Sequence, residues 1–197
     1  APFEMMKLRM LNGSHSFLAY LGYLGGCETI ADTMKLPTYR QAALALMMQE
    51  QAPTLSMPDG IDLQAYASQL IERCSNPSLR HRTQQIAMDG SQKLPQRWLD
   101  SVRYHLLHGS DYRHLMLGIA GWMRYVLGKN ERGEAFEVVD PLSATLHDIN
   151  QHTTEGDARL SALLAVRTIF GDDLPANSGF VSHLQQVYAQ LCQHGAR

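Results

Sequence analysis

The chain has no basic run longer than the mixed stretch Arg80-His81-Arg82, and its formal net charge is −2. Nucleic-acid binding needs clustered lysine and arginine, so that class is excluded on electrostatic grounds. No stretch approaches the roughly 20 apolar residues that span a bilayer, and no basic start followed by an apolar block reads as a signal peptide. Cysteine is scarce: Cys27, Cys74 and Cys192 lie far apart, are odd in number and show no CxxC spacing. This argues against a disulfide framework or a zinc cluster and for a reducing compartment, the cytoplasm. A phosphate-cradling glycine loop is also missing. Gly22, Gly25 and Gly26 follow no strand and are wrongly spaced for a dinucleotide fingerprint. Repeats and low-complexity tracts are absent. The first residue is Ala1 rather than Met, which reads as a piece cut from a longer polypeptide.

What remains has helical period almost throughout. Apolar spacing and end signals predict helices over residues 3–24 (stopped by Gly25-Gly26), 28–34, 37–51 (opened by Pro37) and 62–74 (capped by Asp62). Further helices are expected over 79–88 (capped by Ser78), from Pro95 to about His108, over 112–127 (capped by Asp111), from Asp140-Pro141 to about Asn150, over 157–169 and over 175–194. Only Phe136, Val138 and Val139 hint at a strand. The expected fold is all-α: one multi-helix domain spanning residues 1–197 with about nine helices and at most one short β-hairpin. Trp98, Tyr112, Trp122, Tyr125 and the methionines fall at helical spacing and read as core.

The first helix is apolar on nearly every side yet carries Glu4, Lys7, Asn12 and His15. At about 100° per residue, with Lys7 at 0°, Glu4 falls near 60°, His15 near 80° and Asn12 near 140°, all on one arc. A helix hydrophobic all round is normally buried, and a buried ammonium responds by lowering its pKa. One reading is a proton-transfer lysine, with Asn12 and His15 holding a substrate hydroxyl or carbonyl oxygen. The competing account has Lys7 snorkelling to the helix end, Asn12-Gly13 relaxing a turn and His15 bonded to a backbone carbonyl. In the same way, Arg80–Lys93 reads either as a cationic shelf for an anionic or polyhydroxylated substrate or as a solvated helix face with a plain Asp89-Gly90 turn. The dipeptide His147-Asp148 raises a metal-dependent phosphohydrolase, with His15 and Asp157 as further ligands. Neighbours on a helix diverge by about 100°, however, so the dipeptide alone proves little. A non-catalytic helical interaction module is the other alternative. It predicts that Lys7, Asn12 and His15 point in unrelated directions.

The string KLRMLNGSHSFLAYLG from Lys7, with its pattern K-x4-N-x2-H, resembles the start of the C-terminal domain of the polyol-specific long-chain dehydrogenases. Two more blocks, Asn76–Arg97 and Gly121–Leu142, are similar to the same family, so the resemblance covers essentially the whole chain. It implies an NAD-dependent secondary-alcohol dehydrogenase that interconverts a keto sugar acid and its hydroxy acid (fructuronate/mannonate-like), or a polyol and a ketose. An N-terminal Rossmann domain of the same polypeptide would bind NAD, this all-helical domain would supply most of the substrate site, and no metal would be needed. The resemblance implies that Lys7 is the general acid/base and that Asn12 and His15 bond the reacting oxygen. It also implies that Glu4 serves proton exchange with solvent and that Lys93 lies near substrate and cofactor. The family's mannitol-type members have a substrate-binding arginine where this chain has Gln85. That departure points away from a neutral polyol and toward a hexuronate, whose carboxylate Arg82, Arg80 or Lys93 would meet. Alone, the chain is expected to be inactive.

Overall fold

A single helical rod runs from Pro2 to Leu24: α1 (Pro2–Met6), a π-helical stretch (Lys7–Asn12) and α2 (Gly13–Leu24). Pro2 sits where its missing N–H is harmless, and Gly25 with Gly26 (φ +87°) ends the rod as the sequence predicts. The computed structural model describes residues 1–196. Among them are fourteen α-helical segments and no strand, only isolated bridges at Thr29–Arg82 and Lys129–Ala135. The all-α expectation stands, and the predicted strand at 136–139 does not form.

α2 lies at the centre. Phe17, Leu18, Tyr20 and Leu21 are buried against α9 (Arg113–Tyr125), which packs in turn on α14 (Ser178–His194). The rod crosses α9 closely: a Cβ on Gly121 would lie 2.9 Å from Leu21 Cδ2. A smaller apolar cluster of Met10, Met47, Ala67 and Leu70 sits beneath the π-helical stretch. It seats α4 (Pro37–Ala45), its π-helical continuation (Leu46–Gln51) and α5 (Leu63–Cys74) against the rod.

Several predicted elements differ or gain distant partners; the helix expected over 157–169, for one, stops at Leu164 and resumes at Arg167. Ser78 caps no long helix. Arg80 turns left-handed (φ +45°), and the extended stretch at 81–82 instead pairs with residues 28–30, through Ile30 N–H to the His81 carbonyl (2.8 Å) and Thr83 N–H to the Glu28 carbonyl (2.9 Å). Only α6 (Thr83–Ile86) follows. The helix expected from Pro95 begins earlier, as α7 (Gly90–Leu94), passes through a π-helical stretch (Pro95–Leu99) and continues as α8 (Asp100–His108). Proline inside an α-helix clashes with the carbonyl four residues back, and the wider turn accommodates it. The start of α9 is capped twice: Asp111 Oδ1 accepts Arg113 N–H (3.0 Å), as the sequence predicts, and the fully buried carboxylate of Glu50 accepts the N–H groups of His114 (2.9 Å) and Leu115 (2.8 Å). Asp140 has two tasks: it leads into α10 (Ser143–His152), accepting Leu142 N–H at Oδ1 (2.8 Å) and Ser143 N–H at its carbonyl (3.0 Å), and it also accepts Ser91 N–H (2.9 Å) and Ser91 Oγ–H (2.5 Å) at the start of α7.

The entry to α7 admits no side chain. A Cβ on Gly90 would lie 2.5 Å from Trp122 Nε1 and 2.6 Å from Tyr20 Oη, two rings with no room to withdraw. Gly90→Ala is therefore expected to destabilise the domain by about 1–3 kcal/mol through overpacking. Thermal unfolding checks this, and an unchanged Tm would reject the packing account.

Candidate active site

The three π-helical stretches meet at one place. In each, the backbone N–H reaches the carbonyl five residues back; Gly13 N–H bonds the Leu8 carbonyl in this way. The wider turn frees carbonyl oxygens, and side chains from the other stretches satisfy them. Trp98 Nε1–H donates to the Gly13 carbonyl (3.0 Å), and Gln51 Nε2–H donates to the Arg97 carbonyl (2.8 Å). Gln51 Oε1 accepts from Ser101 Oγ (2.5 Å), so the fully buried carboxamide is satisfied at both ends. Arg97 closes the cluster from the far side, donating through Nη1 to the Asn12 carbonyl (3.2 Å) and to Ser16 Oγ (2.8 Å).

This local geometry changes the helical wheel. Five residues at 100° each separate Lys7 from Asn12 by about 140°, whereas five residues in a π turn separate them by roughly 50°. Asn12 to His15 is then an ordinary three-residue step of α-helix, which puts neighbours on one face. The structure thus aligns Lys7, Asn12 and His15 better than the uniform wheel does. π-helical turns are frequent at functional sites.

Lys7 is exposed, and the predicted burial of its amine is not met within this chain. α1 has no buried residue; on this half of the rod Met6 packs on the smaller apolar cluster and Arg9 bonds Thr54, while Lys7 stays outside. The apolar side chains of this half, Phe3 and Met5, are 51% and 41% exposed. Glu4, one turn earlier, is exposed as well. Neither the Lys7 amine nor the Asn12 carboxamide has a hydrogen-bond or ion-pair partner among the described residues; only the Asn12 main-chain carbonyl is engaged, by Arg97.

His15 is half-buried. Its Nε2 lies 3.4 Å from Cys74 Sγ at the end of α5, and its ring meets His81 edge-on with centroids 5.8 Å apart. Burial, and then the positive charges of His81, Arg97 and Arg73, pull its pKa down to about 4. Burial pushes the Cys74 thiol up to about 11, with Arg73 opposing. At neutral pH the pair is therefore an uncharged imidazole beside an uncharged thiol. The neutral ring keeps one N–H donor and one acceptor, the combination that suits an oxygen alternating between hydroxyl and carbonyl.

The shelf residues divide. Lys93 donates through Nζ to the Ile86 carbonyl (3.0 Å), and burial, then Arg97, lowers its pKa while Asp89 and Asp140 oppose. Gln85 and Arg80 are exposed. Arg82 follows His81 in extended backbone, so the two side chains face opposite ways. Arg82 lines a separate cleft of about 690 Å³ with Glu28 and Arg132, and the structure does not bring it to Lys7, Asn12 and His15. That cleft, an apolar cavity of about 220 Å³ beside Tyr39 and one of about 580 Å³ beside His147 are all lined by residues other than these three. Arg97, Cys74, Arg73 and His81 were not singled out by spacing. Arg97 sits within the resembling block Asn76–Arg97, the only signal that could have found it. His147 and Asp148 are exposed, Asp148 pairs with His152 (3.1 Å), and no three His, Cys, Asp or Glu among the described residues are arranged to hold a metal.

Residues 1–192 match the family model described as the mannitol dehydrogenase C-terminal domain. The chain is similar, at 67% identity over its whole length, to the D-mannonate oxidoreductase of Escherichia coli strain K12, of which it covers 40%. It is 35% identical over 99% of its length to the mannitol 2-dehydrogenase of Phaeosphaeria nodorum, covering 33% of that protein. It superposes with a TM-score of 0.91 on Pseudomonas fluorescens mannitol 2-dehydrogenase in ternary complex with NAD and D-mannitol. There the sequence identity is 32%, and the match covers 99% of this chain and 39% of that one. The chain thus spans about 40% or less of the length of these relatives. The match overturns the phosphohydrolase alternative.

Proposed function

The chain belongs to the mannitol dehydrogenase C-terminal domain family, and from that premise we propose that it is the substrate-binding, acid/base half of a two-domain NAD-dependent alcohol dehydrogenase. The single observation that carries this reading is the aligned trio on the rod: an amine and a carboxamide without partners, beside an imidazole kept neutral. The substrate in this reading is a sugar acid of the fructuronate/mannonate kind, or else a polyol. The names of the similar proteins support both, and the 67% relative favours the acid.

The residues fit a nicotinamide site that is shared rather than complete. This chain has no glycine loop, but its unpartnered amine and amide form a donor and acceptor set suited to a substrate oxygen beside a cofactor held elsewhere. When bound on an N-terminal Rossmann domain, NAD supplies the hydride acceptor. Lys7 takes the proton from the substrate hydroxyl during oxidation and returns it to the oxygen during reduction. The Asn12 carboxamide donates to that oxygen, and His15 orients it. Lys7 becomes an effective base only once it leaves water. Covering the face of α1 that carries Lys7 with the second domain would bury Phe3, four residues before it and 51% exposed here, together with the amine. Glu4 lies one turn away on the solvent side, where it would exchange the proton with water. Lys93, Gln85 and Arg82 complete the proposed substrate set, and Arg82, in its separate cleft, is the least connected of them. A cytoplasmic location belongs to the same reading; no helix of the described residues is long and apolar enough to cross a membrane.

Two measurements test the proposal. A screen of the full-length polypeptide with fructuronate, tagaturonate, mannitol and arabinitol is expected to show NADH-linked turnover with at least one of them. The present chain, purified alone, is expected to show none; turnover above background by this domain would mean that it binds the nicotinamide itself.

A further inference from the structure

Resting on the reading just given, we propose that Arg73 and His81 form the carboxylate-recognising end of the substrate site and select sugar acids over neutral polyols. Arg73 lies in the last turn of α5, one residue before the cysteine that touches His15 at 3.4 Å. Its guanidinium is exposed and has no hydrogen bond or ion pair among the described residues. His81 presents its ring to His15 at 5.8 Å, roughly the reach of four carbon–carbon bonds. A six-carbon acid with its reacting oxygen at His15 would therefore extend its far end to this pair.

The placement of His81 is built rather than incidental. The left-handed turn at Arg80 and the pairing of His81 with Ile30 hold the backbone on both sides of it. Two other cations nearby are already engaged: Arg97 with Asn12 and Ser16, and Lys93 with the Ile86 carbonyl. Arg82, which sequence favoured for this role, faces the other cleft. Arg97 and Arg73 both disfavour the charged form of His15, so positive charge gathers beside it. A substrate carboxylate would relieve that repulsion, and a planar guanidinium would bind it through two parallel hydrogen bonds.

The test is steady-state kinetics of the full-length enzyme with mannonate and with mannitol at several ionic strengths. Arg73→Gln is expected to raise KM for the acid by about 10- to 100-fold, the effect of losing a charge-assisted pair. The ratio of kcat/KM for acid over polyol should fall by at least tenfold. His81→Gln should act in the same direction and more weakly. The salt dependence of kcat/KM for the acid should flatten in Arg73→Gln and persist in Arg73→Lys, which keeps the charge. Equal losses on both substrates, or an unchanged salt slope, would overturn the proposal. Failure of the unmodified enzyme to turn over any sugar acid would overturn the functional reading beneath it, and that result is visible before any variant is made.

Discussion

Lys7→Ala in the full-length enzyme is expected to lower kcat by about 10²- to 10⁴-fold, the usual worth of a positioned acid/base group. KM should move far less, because Asn12 and His15 still hold the oxygen and the remote contacts of the sugar are untouched. Equal losses in kcat and kcat/KM would mark an interaction made in the transition state. The variant should fold normally, since Lys7 is exposed and makes no bond within the domain. Small primary amines added to Lys7→Ala should restore part of the rate by occupying the vacated space, an effect that a structural role would not show. A kcat within a few-fold of the parent value would reject the assignment.

Arg159→Ala is expected to be the most destabilising single change in the domain, at about 3–5 kcal/mol. At this chain length that lowers Tm by roughly 6–20 °C. The guanidinium is 1% exposed and joins three elements to α11 (Asp157–Leu164). It donates to the Met123 carbonyl of α9 (2.7 Å), Asn150 Oδ1 of α10 (2.7 Å) and Tyr188 Oη of α14 (3.0 Å). Tyr188 donates in turn to Glu155 (2.6 Å), and Asn150 donates to the Val126 carbonyl (2.9 Å). Truncation leaves a large void and strands several buried acceptors at once, and each stranded group costs about 1–3 kcal/mol. Arg159→Met, which refills most of the volume, should recover part of the loss and so separate packing from hydrogen bonding. Chemical denaturation checks both variants; a loss below about 1 kcal/mol for Arg159→Ala would show that water replaces the network.

The contrast between these residues shows how far the pattern of amino acids reaches. Lys7, Asn12 and His15 stand out because a polar arc on an otherwise apolar helix is a local anomaly. Arg159 has no such signal: an arginine at its position looks like any solvated helix residue until α9, α10 and α14 close around it. Glu50 is the same case. It sits at the end of one predicted helix, yet its carboxylate caps another that begins more than sixty residues later.

Local patterns along the chain carry the all-α class, the first helix and its glycine stop, the caps at Asp62 and Asp111 and the identity of the polar residues on the first helix. These depend on interactions within about four residues, which periodicity and capping chemistry record directly. Tertiary structure alone decided the three π-helical turns, the break at Arg80, the capping of α9 by Glu50, the separation of His81 from Arg82 and the neutral state of His15. Each of these is settled by a partner distant in the chain: a tryptophan N–H that satisfies a freed carbonyl, a strap at 28–30 that takes the backbone of 81–83, and cations from three elements that gather around one imidazole. Local propensity is blind to such partners because their energy appears only when the chain has folded.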